Sequence, residues 1–188
     1  MRAHALRLVM LTLMSIASRT ARAQARPDLS GTWSVPTAAA PRPTVASTGD
    51  AAFRTGDMGS GWGTPLTIRQ RGDSLVLEYP WFSTYDLQPP VRMAVALDGS
   101  ESPNTLMIGH AEVMHRSRAS WQGGALVITT SWPAPALGRD ARVEVRQSLR
   151  LPATDTLMVE TMRDAASGAA ATVTRTTLVR MRQNVPPA

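Results

Sequence analysis

Cysteine and lysine are both absent from the 188 residues. Without cysteine the chain has no disulfide framework, no thiol nucleophile and no thiolate metal ligand, so stability must come from an apolar core. Without lysine, all 20 basic residues are arginines. Helical signals are missing as well. No stretch sustains a 3.6-residue apolar period with caps, and the alanine-rich segment Ala165 to Ala171 is short and interrupted by Gly168. Long apolar runs are confined to Leu8 to Ala17, well short of the roughly 20 residues a spanning helix needs. These absences exclude a helical bundle, a βαβ architecture and a membrane-spanning helix.

The start of the chain has a recognisable logic. Arg2 and Arg7 precede the apolar run, and small residues follow, which is the pattern of a secretory signal peptide. Cleavage could follow Ala21-Arg22-Ala23 or Ala23-Gln24-Ala25; the second is preferred because Arg26-Pro27 then opens the mature chain, giving a signal over residues 1–25 and one domain over 26–188 in the periplasm or outside the cell. The signal would remove Arg2, Arg7, Arg19 and Arg22, so the formal charge of +6 falls to +2. The remaining arginines nowhere form a run beyond Arg116-x-Arg118 or Arg180-x-Arg182. Nucleic-acid binding needs clustered positive charge, and that class is set aside.

One phrase occurs three times: Gly72-Asp73-Ser74-Leu75-Val76-Leu77, Gly123-Gly124-Ala125-Leu126-Val127-Ile128 and Thr154-Asp155-Thr156-Leu157-Met158-Val159. Each copy follows an alternating apolar and polar run, so each reads as the tip and return strand of a hairpin. Leu75, Leu126 and Leu157 are expected to point inward. Further alternating runs are Leu29 to Val35, Leu66 to Arg71, Val91 to Leu97, Val113 to Trp121, Val143 to Leu149 and Val173 to Arg182. Asp98-Gly99 reads as a turn, with Leu106 to Ile108 as a short return segment. Residues 36–64, rich in Ala, Pro, Gly and Thr, read as a long irregular loop.

About 8–10 antiparallel strands in succession must hide their edges. An up-and-down meander closing into a barrel does so outright, with an open sandwich as the rival arrangement. An eight-stranded barrel has room for its own side chains or one small ligand.

Three segments carry a resemblance: Asp28-Leu29-Ser30-Gly31-Thr32-Trp33, Leu97-Asp98-Gly99-Ser100-Glu101-Ser102-x-Asn104, and Ser120-Trp121-x-Gly123-Gly124-x-Leu126-Val127-Ile128. Together with the signal-like start, they resemble a lipocalin-like family of secreted bacterial β-barrel proteins. Gly31-x-Trp33 is similar to the Gly-x-Trp signature of lipocalins. The resemblance implies that Trp33 plugs one barrel end and that Arg180 or Arg182 packs across it.

Candidate chemistry is sparse. His110-x-Glu112 offers two potential ligands on one face, with His115 on the opposite parity, so no metal site is expected. Gly59-Ser60-Gly61 lacks the strand-to-helix setting of a nucleophile elbow. Carboxylates for glycoside chemistry would come from Glu78, Glu112, Glu144 or Glu160, and most of these alternate with inward apolar residues. No catalytic residue and no cofactor are expected.

Inward polar residues remain. His115 shares a face with Val113, Ser117, Ala119 and Trp121, and Gln70 and Gln147 occupy inward parity on their own strands. Trp62, Trp81, Phe82, Tyr85 and Trp132 fall in or beside loops, where they could cap the core or form a partner surface.

The expected function is a non-enzymatic binding module. Its barrel would hold a small apolar or amphipathic molecule with Trp33, Gln70, His115, Trp121 and Gln147 contributing. The alternatives are an envelope module that binds another protein through its outer face and, further off, an envelope hydrolase or isomerase using His115.

Overall fold

The computed structural model describes residues 26–36, 60–80, 89–108, 111–135, 138–164 and 171–182. The signal-like segment, most of the 36–64 loop, His110, Trp81, Phe82 and Tyr85 lie outside the described residues. The architecture is all-β. Ten strands follow in order: β1 Gly31–Ser34, β2 Leu66–Arg71, β3 Ser74–Tyr79, β4 Val91–Ala96, β5 Asp98–Ile108, β6 Ala111–Gln122, β7 Ala125–Pro133, β8 Arg142–Ala153, β9 Thr156–Arg163 and β10 Thr172–Arg180. No helix among the described residues is long and apolar enough to cross a membrane.

Every pairing is antiparallel, in one sheet of order β4-β3-β2-β1-β10-β9-β8-β7-β6-β5. The first and last strands pair directly, Trp33 opposite Arg180 and Ser34 opposite Val179. The meander thus curls into a nearly closed barrel whose remaining seam falls between the consecutive strands β4 and β5.

Side chains rather than a regular backbone ladder bridge that seam. The Asn104 amide donates to the Ala94 carbonyl at 3.0 Å and accepts from the Ala94 N–H at 2.8 Å, while Ser102 Oγ accepts from the Ala96 N–H at 2.9 Å. The primary amide carries a donor and an acceptor in the geometry of a peptide group, so it stands in for a strand residue.

Here the structure departs from the expected turn and short return. The turn lies at Leu97, and β5 is an 11-residue strand from Asp98 with a register shift between Asp98 and Glu101. Its polar composition reads poorly as a strand because its outer edge uses side chains for bonding. Pro103, which has no N–H to offer, is tolerated on such an edge.

Alternation sorts the inside from the outside. Leu66, Ile68, Leu75, Leu77, Val95, Leu126, Ile128, Leu149, Leu157, Val159 and Leu178 are all essentially inaccessible and form the core with Leu29 and Trp33. The leucines of the repeated phrase, Leu75, Leu126 and Leu157, are completely buried. The outer wall carries cross-strand ion pairs: Arg69 with Glu78 at 3.1 Å, Arg175 with Glu160 at 2.6 Å, and Arg116 and Arg118 with Glu101. The Arg116 guanidinium, with Arg118 beyond it, holds the Glu101 carboxyl below its ordinary range.

Tight turns at 72–73, 123–124 and 154–155 gather at one end of the barrel. The strand ends at Ser34, Tyr79, Ile108, Pro133 and Arg163 gather at the other. The two ends are therefore built differently, and they carry different chemistry.

Candidate functional site

At the tight-turn end the chain closes on itself. Trp33 is fully buried, and its indole N–H donates to the Leu29 carbonyl at 3.0 Å. The Arg180 guanidinium lies over the indole, 4.3 Å from the ring centroid. It also donates to the Ser30 carbonyl and, through Nε, to the Thr154 carbonyl at 3.0 Å. A cation on an indole face contributes roughly 0.5 to 2 kcal/mol, depending on desolvation. Gly31 makes room for this arrangement: its φ is +146°, and a Cβ there would collide with the guanidinium. Arg180 thus occupies the position across Trp33, whereas Arg182 is exposed beyond the end of β10.

Gln70 belongs to this same end. Its Oε1 accepts from the Leu29 N–H at 3.1 Å, and its own N–H donates to Ser30 Oγ at 3.0 Å. It pins the segment leading into β1 and has no position in the opposite half of the barrel. Trp121 sits one residue before the end of β6, half-buried against the core, and its Nε1 is buried with no hydrogen-bond partner. Six residues along the same strand separate it from His115, roughly 20 Å at the usual rise. Of the five expected ligand-binding residues, Trp33, Gln70 and Trp121 therefore belong to the closed end.

The other two, His115 and Gln147, lie on a polar arc of the inner wall. Its members are His115 and Ser117 on β6, Thr130 on β7, Gln147 on β8 and Thr161 on β9, all buried. Register makes them neighbours. Ser117 faces Thr130, Gln147 faces Thr161, and Gln147 is diagonal to Thr130, whose direct partner on β8 is Val145. The Ser117 and Thr130 hydroxyls bond to each other at 2.9 Å.

His115 is the unsatisfied member. Its ring stacks on Trp132 with centroids 4.6 Å apart and planes 8° from parallel. Trp132, expected beside a loop, belongs to β7 and has the inward parity of Thr130 and Ile128. His115 is buried, 7% exposed as a residue, and its Nε2 has no hydrogen-bond partner. Burial pulls its pKa down to about 4, so the ring is neutral at pH 7.

The far end of the arc is occupied by the chain itself. Gln147 Nε2 and Thr161 Oγ1 both donate to the Ser60 carbonyl, at 2.7 and 3.1 Å. Ser60 Oγ accepts from the Trp62 N–H at 3.2 Å and donates to the Trp62 carbonyl at 3.1 Å. Trp62 is buried in the core. Sequence reasoning placed Trp62 as a loop residue able to cap the core and weighed Ser60 and Gly61 only as a nucleophile elbow, while Thr130 and Thr161 were not singled out. Their signal was polar identity at inward parity, visible for Thr130 and Thr161 once Ile128 and Val159 are taken as buried.

Other chemistries find little here. The Ser60 hydroxyl is engaged with backbone, so it has no general base. Glu112 and Glu144 are exposed, and Glu78 and Glu160 pair with arginines on the outer wall. No group of three His, Asp or Glu able to hold a metal occurs among the described residues. Two grooves of about 290 and 360 Å³ lie on the outer wall, one floored by Ala125, Val127 and Met162, the other flanked by Arg69, Arg71 and Arg92. Trp62 and Trp132 face inward and contribute no outer apolar patch. No protein-family model matches this sequence, and no curated protein matches it.

Proposed function

We propose that the protein is an exported, non-enzymatic binding module that holds a small, largely apolar molecule inside the long-loop half of the barrel. The observation that carries this reading is His115: a buried, neutral imidazole stacked on Trp132, with an unpaired Nε2. Leaving such a group unsatisfied costs about 1 to 3 kcal/mol, and a leucine at the same position would avoid the cost. A ligand that bonds Nε2 recovers that energy and gives the histidine a purpose. The neighbouring Ser117, Thr130 and Gln147 supply orientation, and Trp132 supplies a flat apolar face. Export rests on the basic, apolar and small-residue sequence of positions 1–25.

Native mass spectrometry of the protein purified from its own cells tests this. The expected result is a bound small molecule that is retained by wild type and lost from His115→Phe, a variant that keeps the stacking ring but removes the nitrogen. Bare wild-type protein whose tryptophan fluorescence also ignores an organic extract of those cells would sink the proposal.

A further inference from the structure

The strongest remaining feature is the pair of buried donors on the inner wall that converge on one loop oxygen. Gln147 is 4% exposed and Thr161 is 1% exposed, yet their neighbours along the wall are Leu149 and Val159. A wall needed only for packing has no use for two polar residues there, since each costs free energy unless it is paired. Both donate to a single acceptor, the Ser60 carbonyl, supplied from 87 and 101 positions away in the chain.

The segment that supplies it is compact. Ser60 and Trp62 are tied by the serine hydroxyl, and Gly61 between them has φ +78°. A Cβ on Gly61 would stand 3.0 Å from Gln147 Nε2 and 3.2 Å from the Arg163 guanidinium. Only glycine lets the segment lie this close to the wall. The Ser60 hydroxyl is engaged within the segment, with the Trp62 backbone. What the segment brings to the wall includes one carbonyl oxygen, one indole and proximity to a guanidinium.

We propose that Ser60-Gly61-Trp62 is a built-in occupant of the ligand site, and that the ligand it stands in for is a small aromatic carboxylate. The carboxylate takes over the donors on Gln147 and Thr161, with Arg163 beside them, and the ring takes the space of Trp62. Because one oxygen replaces another, neither donor is left unpaired during the exchange. Arg163 selects the acid over its neutral amide, since a charge-assisted bond is roughly twice as strong as a neutral one. This inference rests on the interior being the ligand site, as proposed above, and it adds the class of ligand and its competitor.

Titration of the full chain with indole-3-acetate, followed by calorimetry and by the indole N–H signals in NMR, tests it. Wild type is expected to bind with displacement of the Trp62 indole signal. Trp62→Ala is expected to bind at least about tenfold tighter, because the competing occupant no longer reduces the fraction of open sites. Gly61→Ala, which forces the segment off the wall while keeping the indole, provides the same comparison if Trp62→Ala does not fold. Gln147→Leu should lose the binding, and indole-3-acetamide should bind more weakly than the acid.

Equal affinity in wild type and both segment variants overturns the occupant. Equal affinity for acid and amide overturns the carboxylate. Binding by none of the folded variants overturns the inference as a whole. In each case a native ligand still lost from His115→Phe leaves the interior-site reading standing, so the two failures can be told apart.

Discussion

At the scale of single residues, the buried ring nitrogens differ in whether they find a partner. Trp33 Nε1 finds the Leu29 carbonyl, whereas His115 Nε2 and Trp121 Nε1 find nothing. For His115 this has a pH consequence. Its folded pKa, about 4, lies below the value of about 6.5 expected when unfolded, so on acidification the unfolded chain takes up the proton first. Stability therefore falls as pH drops from about 6.5 towards 4 and levels off once the folded ring also protonates. The full shift would correspond to about 3 kcal/mol, and solvent screening reduces the expected loss to roughly 1 to 2 kcal/mol. Urea unfolding of wild type and His115→Phe at pH 7 and pH 4.5 checks this, and the variant is expected to lose much less. Asp28 and Asp98, held down by hydrogen bonds from Ser30 and Ser100, and Glu101, held down by Arg116, lose their stabilisation as pH falls through their ordinary values of 3.8 and 4.5; that loss is common to both proteins, so the difference between wild type and His115→Phe isolates the histidine. An equal loss in both proteins would mean that the ring is not buried neutral.

At the scale of elements, the seam between β4 and β5 depends on Asn104. Asn104→Ala removes both bonds to Ala94 without disturbing the core, and because Ala94 is exposed, water replaces much of what is lost. The expected cost is about 1 kcal/mol. The clearer readout is local: amide exchange at Ala94 should accelerate while the amides of β7 and β8, which pair through regular ladders, keep their protection. Unchanged exchange at Ala94 would show that the seam is held by something else. This element also marks the limit of what was legible beforehand. Period-two alternation identified the strands and placed Leu75, Leu126 and Leu157 inward, because burial of one sheet face imprints directly on sequence. The run from Asp98 to Asn104 gave no such imprint, since Ser102 and Asn104 bond sideways into the seam and no apolar residue marks an inner face. Gln70 was readable as inward, but its partner, the Leu29 N–H, depends on the pairing of β1 with β2 and leaves no local trace. The same holds for Ser60, whose partners lie on β8 and β9.

At the scale of the whole molecule, curling the meander requires its most distant residues to meet. Trp33 pairs with Arg180, and Arg180 reaches the Ser30 carbonyl across 150 positions. The hairpins β2–β3, β6–β7 and β8–β9 need only short loops, so their closure entropy is small. Joining β1 to β10 carries the largest such cost and is expected late in folding. Contacts made after the transition state govern unfolding and leave the folding rate nearly untouched. Arg180→Ala deletes the guanidinium over Trp33 and its bonds to the Ser30 and Thr154 carbonyls, about 2 kcal/mol in total. Nearly all of it should appear as unfolding faster by about thirtyfold in a denaturant chevron, with the folding arm unmoved. A slowed folding arm would instead place the β1–β10 junction in the nucleus.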